Sequence, residues 1–147
     1  MADSSATTTQ QKPRAAYRNI HVSQIVKYRL PPAGMVSIGH RVSGVLMFLL
    51  LPFVVWLFDV SLSSEVSYDR FRSTWVAGAG WFPAWFVKLV TLALIWSYLH
   101  HFIAGLRHLW MDVSHKAVER GFGHTSALVT RGASALLTLV LGFKLFF

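Results

Sequence analysis

The chain has 147 residues, no cysteine, 54% hydrophobic residues, a formal charge of +8 and a mean hydropathy of +0.47. Without cysteine, disulfides, thiolate metal sites and cysteine-held iron–sulfur clusters are excluded within it, and histidine is left as the strong intramembrane metal ligand. The basic residues flank apolar stretches instead of gathering on one polar face, which speaks against nucleic acid as the partner and for a lipid bilayer.

Residues 1–16, MADSSATTTQQKPRAA, are small and polar with no apolar period, and read as a disordered tail. Residues 17–147 read as one three-helix membrane domain. Over 17–30, Ile20, Val22, Ile25, Val26 and Tyr28 form a basic amphipathic segment suited to the membrane surface or to a cytoplasmic partner. Pro31-Pro32 ends it, because neither residue donates a backbone hydrogen bond and each restricts the residue before it. Three apolar stretches then exceed the roughly 20 residues that cross a bilayer, and spans are expected over 34–58, 82–110 and 126–147. The first is not a cleaved signal peptide, since about 35 residues precede it and no small-residue cleavage site follows.

Pro52 lies late in the first span, where neighbouring helices can satisfy the carbonyl that a kink frees. The loop over 59–80 has room for a short interfacial helix, and Trp75, Trp81 and Trp85 suit a headgroup-level aromatic belt. Gly121 and Gly123 break the second loop. Arg131 and Lys144, near the two ends of the third span, are placed to snorkel. Lys12, Arg14, Arg18, Lys27 and Arg29 precede the first span, and Arg107, Lys116, Arg120 and Arg131 surround the second loop. The first loop sets Arg70 and Arg72 against Asp59, Glu65 and Asp69. By the positive-inside rule the N-terminus is cytoplasmic and the C-terminus periplasmic. The expected fold is an all-α integral membrane protein with three transmembrane helices.

Within the second span, His101, Gly105, His108 and Asp112 fall inside an arc of about 60° on one helix face. Lipid gives such a polar stripe nothing to bond, so it faces a cofactor, a partner or a cavity. For His101 the spacing leaves two readings open: a haem-iron ligand, or an imidazole bonded to a serine or carbonyl on a neighbouring helix. Gly105 removes a side chain that would meet a flat macrocycle. His108, about 10 Å along the axis towards the cytoplasm, suits haem propionates, with Arg107 as another cationic partner; an interfacial histidine in water is its other reading. His100 shares a second face with Arg107 and reads as structural. Asp112, at the inner boundary, is either a proton donor to a buried site or an exposed loop carboxylate.

The first span carries Ser37, His40, Arg41 and Gly44 on one side. A guanidinium at the bilayer centre costs about 2.5–3.5 kcal/mol. Arg41 is only two turns in, where snorkelling relieves most of that, so a plain anchor is an alternative for this residue alone. A hydroxyl one turn from a guanidinium can hold a quinone carbonyl and stabilise the negative charge that reduction places on it.

Ser37-Ile-Gly-His40-Arg41-Val-Ser43-Gly44 and His101-x3-Gly105-x-Arg107-His108-x3-Asp112, with the three-span layout, resemble the cytochrome b membrane anchor of bacterial succinate dehydrogenase. The resemblance covers about residues 18–147. It implies that His101 is one axial ligand of a haem b, the other histidine coming from a second small anchor subunit. It further implies that Ser37 and Arg41 line a ubiquinone pocket and that His40 and His108 lie near the haem propionates. A flavoprotein subunit and an iron–sulfur subunit would dock on the cytoplasmic face of the inner membrane, and the chain alone would have no succinate activity. The family's usual Arg-Pro is Arg18-Asn19 here, and Pro31-Pro32 with Ala33-Gly34 makes a more punctuated entry; both bear on docking to the iron–sulfur subunit. The alternatives are the anchor of a quinol:fumarate reductase and a haem-free anchor or small transport protein.

Overall fold

The structure, a computed structural model, describes residues 21–147. The 1–16 tail and the start of the amphipathic segment lie outside the described residues. The rest of that segment forms a short helix, α1 (Val22–Lys27).

α2 (Pro32–Leu49) is entered through an extended Pro31, with Pro32 in its first turn. First-turn donors have no helical acceptor, so the missing N–H of Pro32 costs nothing there. α3 (Leu51–Leu62) follows at once but is bent by 49° from α2. Pro52 is the physical cause: it offers no N–H to the carbonyl of Phe48, and its ring crowds that carbonyl. The first apolar stretch is therefore a bent pair that runs on to Leu62, past the expected end at residue 58.

The loop that follows holds the expected short helix, α4 (Glu65–Thr74). Ser64 and Ser67 cap it reciprocally: the Ser67 N–H donates to Ser64 Oγ at 3.1 Å, and the Ser64 N–H to Ser67 Oγ at 2.8 Å. At Gly78 the chain turns with φ +97, and a Cβ there would run into the carbonyl of Phe82. That turn delivers the chain into α5 (Ala84–Val113), whose 30 residues span about 45 Å. Since a hydrocarbon core is about 30 Å thick, the ends of α5 reach beyond it. A 3-10 turn (His115–Val118) leads to α6 (Arg120–Phe146).

α5 packs against α2 and against α6, and α2 also touches α6. Where the three meet, one small or branched residue from each is fully buried: Val36, Ala104 and Ala127. Ser43, Ser97, Thr130 and Ser134 are buried as well. Small side chains let helix backbones approach closely, which is how helices associate where lipid is as apolar as leucine. The large apolar residues point the other way, with Phe48, Leu139 and Phe143 at 75%, 71% and 67% exposure. Such an inside-out distribution belongs in lipid or against other membrane chains. Among the described residues α5 and α6 are each long and apolar enough to cross a membrane, and α2 with α3 makes a third candidate if the bent pair is one span.

Candidate functional site

α2 and α5 cross so that His40 and His101 meet. His101 Nδ1 lies 3.0 Å from the backbone carbonyl oxygen of His40 and 3.3 Å from Ser43 Oγ. A carbonyl only accepts, so Nδ1 is the donating nitrogen, and in the neutral ring Nε2 is then the atom with the lone pair. Ser43 donates to the same carbonyl at 2.8 Å, using its remaining acceptor capacity. Gly44 sits beneath the ring: a Cβ there would lie 3.0 Å from His101 Cε1. Its absence lets the imidazole lie against the backbone of α2.

The His40 ring stacks on that of His101, with centroids 4.0 Å apart and planes at 15°. On its other side it meets His108 edge-on at 5.2 Å. Gly105 faces His40, where a Cβ would stand 3.5 Å from Nε2. Three half-buried imidazoles thus run in a row between the two helices. The space that Gly105 leaves beside α5 is occupied, on the α2 side, by the ring of His40.

A ring Nδ1–H held by a backbone carbonyl is the contact that metal-ligating histidines commonly make with their other nitrogen. The set fits a haem, with His101 as the residue that would hold it. His40 and His101 lie face to face, so they are not placed to grip one iron from opposite sides. No three ligand side chains converge on a metal position among the described residues.

The remaining sequence candidates divide. Ser37 is half-buried and Arg41 exposed, one turn apart on α2; Asp112 is exposed near the end of α5. Arg107 does not join the imidazoles. Its Nε donates to Ser126 Oγ at 3.0 Å and its NH2 to the Gly123 carbonyl at 3.1 Å. Only 8% of it is exposed. It lies about 120° around α5 from His101, and the small residues Gly123 and Ser126 open α6 to its guanidinium. Through these bonds Arg107 clamps α5 to α6.

His100 is buried among three helices. Its Nδ1 is 3.2 Å from Ser134 Oγ, its ring stacks on Trp96 at 5.3 Å, and its Nε2 lies where a Cβ on Gly39 would come within 2.5 Å. Ser43 and Gly39 contribute here, although helix spacing gave neither of them a role. Ser43 lies about 120° from Ser37 around α2, outside the arc that groups Ser37 with His40 and Arg41. Counting from His40 instead, Ser43 is one turn on and faces α5.

Residues 11–141 match the family described as "Succinate dehydrogenase/Fumarate reductase transmembrane subunit". The chain belongs to that family. This transmembrane subunit is 33% identical over 89 residues to the "Succinate dehydrogenase cytochrome b556 subunit" of Coxiella burnetii, a stretch covering 60% of the chain and 66% of that relative. It is 27% identical over 118 residues to the protein of the same name from Paracoccus denitrificans, covering 79% of the chain and 85% of the relative. The family match takes in both His40 and His101, and the apolar helices give its transmembrane role a physical basis.

Proposed function

We propose that this subunit anchors a succinate dehydrogenase in the bacterial inner membrane, that its His101 would help hold a haem b, and that it forms part of a ubiquinone pocket. The relatives named as cytochrome b556 subunits of succinate dehydrogenase support that assignment. The observation that carries it is the His101 ring, held at Nδ1 by the His40 carbonyl so that Nε2 is the ring atom left for a metal. When bound, the haem would supply a one-electron store.

A second small anchor subunit would lend a further imidazole to hold the haem, while His40 is stacked on His101. His40 and His108 provide ring N–H donors suited to the negatively charged propionates. Ser37 donates its hydroxyl to a quinone carbonyl. Arg41 stabilises the negative charge that electrons bring to that oxygen, an effect that is strongest when water is excluded. Asp112, near the water, hands on protons. The flavoprotein and iron–sulfur subunits sit on the cytoplasmic face, where positive charge places the N-terminus. There succinate is oxidised, and two electrons and two protons pass to the quinone.

Activity measurements on the complex test this division of labour. In Arg41→Ala, quinone reduction should fall about a hundredfold, the scale for removing one donor from a developing negative charge. Succinate oxidation with a soluble dye should survive. Equal loss of both activities would contradict the proposal.

A further inference from the structure

On the side of the bundle where α2 meets α6, away from the imidazole row, a groove of about 610 Å³ is lined by Met35, Gly39, Trp96, Arg131, Gly132 and Ala135 with His100 at its floor. Arg131 is exposed, and its polar contact among the described residues is weak: NH1 lies 3.8 Å from the sulfur of Met35. Met35 is in the first turn of α2, about 5 Å from that helix's start. The long arginine side chain therefore brings its charge close to headgroup depth.

From that point the groove leads into the membrane. Gly39 lies a turn deeper than Met35 on α2, Ala135 a turn deeper than Arg131 on α6, and Trp96 a turn deeper than His100 on α5. Gly132 keeps the wall open, with no heavy atom within 4 Å of a Cβ built there. The floor is fixed, because His100 is bonded to Ser134 and stacked on Trp96. A cation at the mouth and a channel walled mostly by apolar residues, over a floor of His100 and Ser134, match the polarity of a lipid lying along the bilayer normal. A guanidinium on a span also calls for an anionic partner.

We propose that Arg131 and this groove hold an anionic phospholipid from the leaflet at the N-terminal end of α2. The phosphate sits on the guanidinium and an acyl chain runs past Gly39, Gly132 and Trp96. The leaflet's assignment as cytoplasmic rests on the topology proposed above; the site itself depends on neither haem nor quinone.

Native mass spectrometry of the complex, extracted with detergent from membranes containing phosphatidylglycerol, reads the retained lipid. Arg131→Gln should lower retained phosphatidylglycerol about fivefold, the effect of one basic side chain near an anionic surface. Arg131→Lys should keep most of it. Gly132→Leu fills the channel without touching the charge and should also lower it, which keeps the test open if Arg131→Gln assembles poorly. For the delipidated complex, dioleoylphosphatidylglycerol should raise the Tm, whereas dioleoylphosphatidylcholine and inorganic phosphate should not. Equal retention in the wild type, Arg131→Gln and Gly132→Leu, an equal response to both lipids, or a response reproduced by phosphate alone would overturn the site. A haem spectrum of the same samples keeps the two ideas apart. Its absence would sink the proposed function and leave the lipid count to decide the groove.

Discussion

At the scale of single residues, the two glycines near the imidazoles do different work. A Cβ on Gly44 would press on His101 Cε1 at 3.0 Å, whereas one on Gly105 would meet His40 Nε2 at an ordinary 3.5 Å. Overpacking of this kind forces a ring off its preferred position and costs about 1–3 kcal/mol. Gly44→Ala should therefore lower haem content and shift the cytochrome spectrum of the complex, and Gly105→Ala should do so much less. Haem content measured on both variants checks the ranking, and the reverse order would contradict it. Sequence spacing singled out Gly105 because a helix wheel shows which residues share a face. It does not show how close the facing helix comes, and Gly44 owes its importance to that distance. His101 stood out in the sequence as a buried polar group needing a partner; that the partner is the His40 carbonyl emerges only from the crossing of α2 and α5.

At the scale of elements, interlocks between helices set the register of the site. Gly39 against His100 and His100 against Ser134 tie α2, α5 and α6 together one residue away from the His40–His101 contact. Gly39→Ala should destabilise the assembled complex more than Gly105→Ala, because the displaced atom belongs to a residue only 4% exposed. Comparing thermal denaturation of the two variants tests this; a Tm unchanged in Gly39→Ala would remove the interlock. Arg107 is a second clamp. Arg107→Met leaves Ser126 and Gly123 without a charged donor and should cost about 1.5–3 kcal/mol of stability with the haem spectrum intact. A shifted spectrum with unchanged stability would instead place Arg107 at the haem edge. The direction of Arg107 was hidden from the sequence, since it depends on which small residues of α6 come alongside. The bend at Pro52 was legible because proline chemistry acts locally, whereas the serine pair that caps the helix in the 59–80 loop emerges from the structure.

At the scale of the whole molecule, small residues lie inside and large apolar ones outside. This arrangement makes the bundle a membrane component, and its apolarity was plain from composition. The proposed orientation rests on the distribution of basic residues, and the absence of native cysteine makes it easy to check. Ser64→Cys should react with a membrane-impermeant thiol reagent in intact cells, and Lys116→Cys only in inverted vesicles. Labelling with the opposite sidedness would reverse the topology and move the lipid groove to the other leaflet.

Everything proposed for the haem rests on His101 Nε2 as its iron ligand. The reduced-minus-oxidised spectrum of the complex with His101→Ala tests that role most directly. The b-type cytochrome band should disappear while succinate oxidation with a soluble dye continues; an unchanged band in that variant would contradict the ligation.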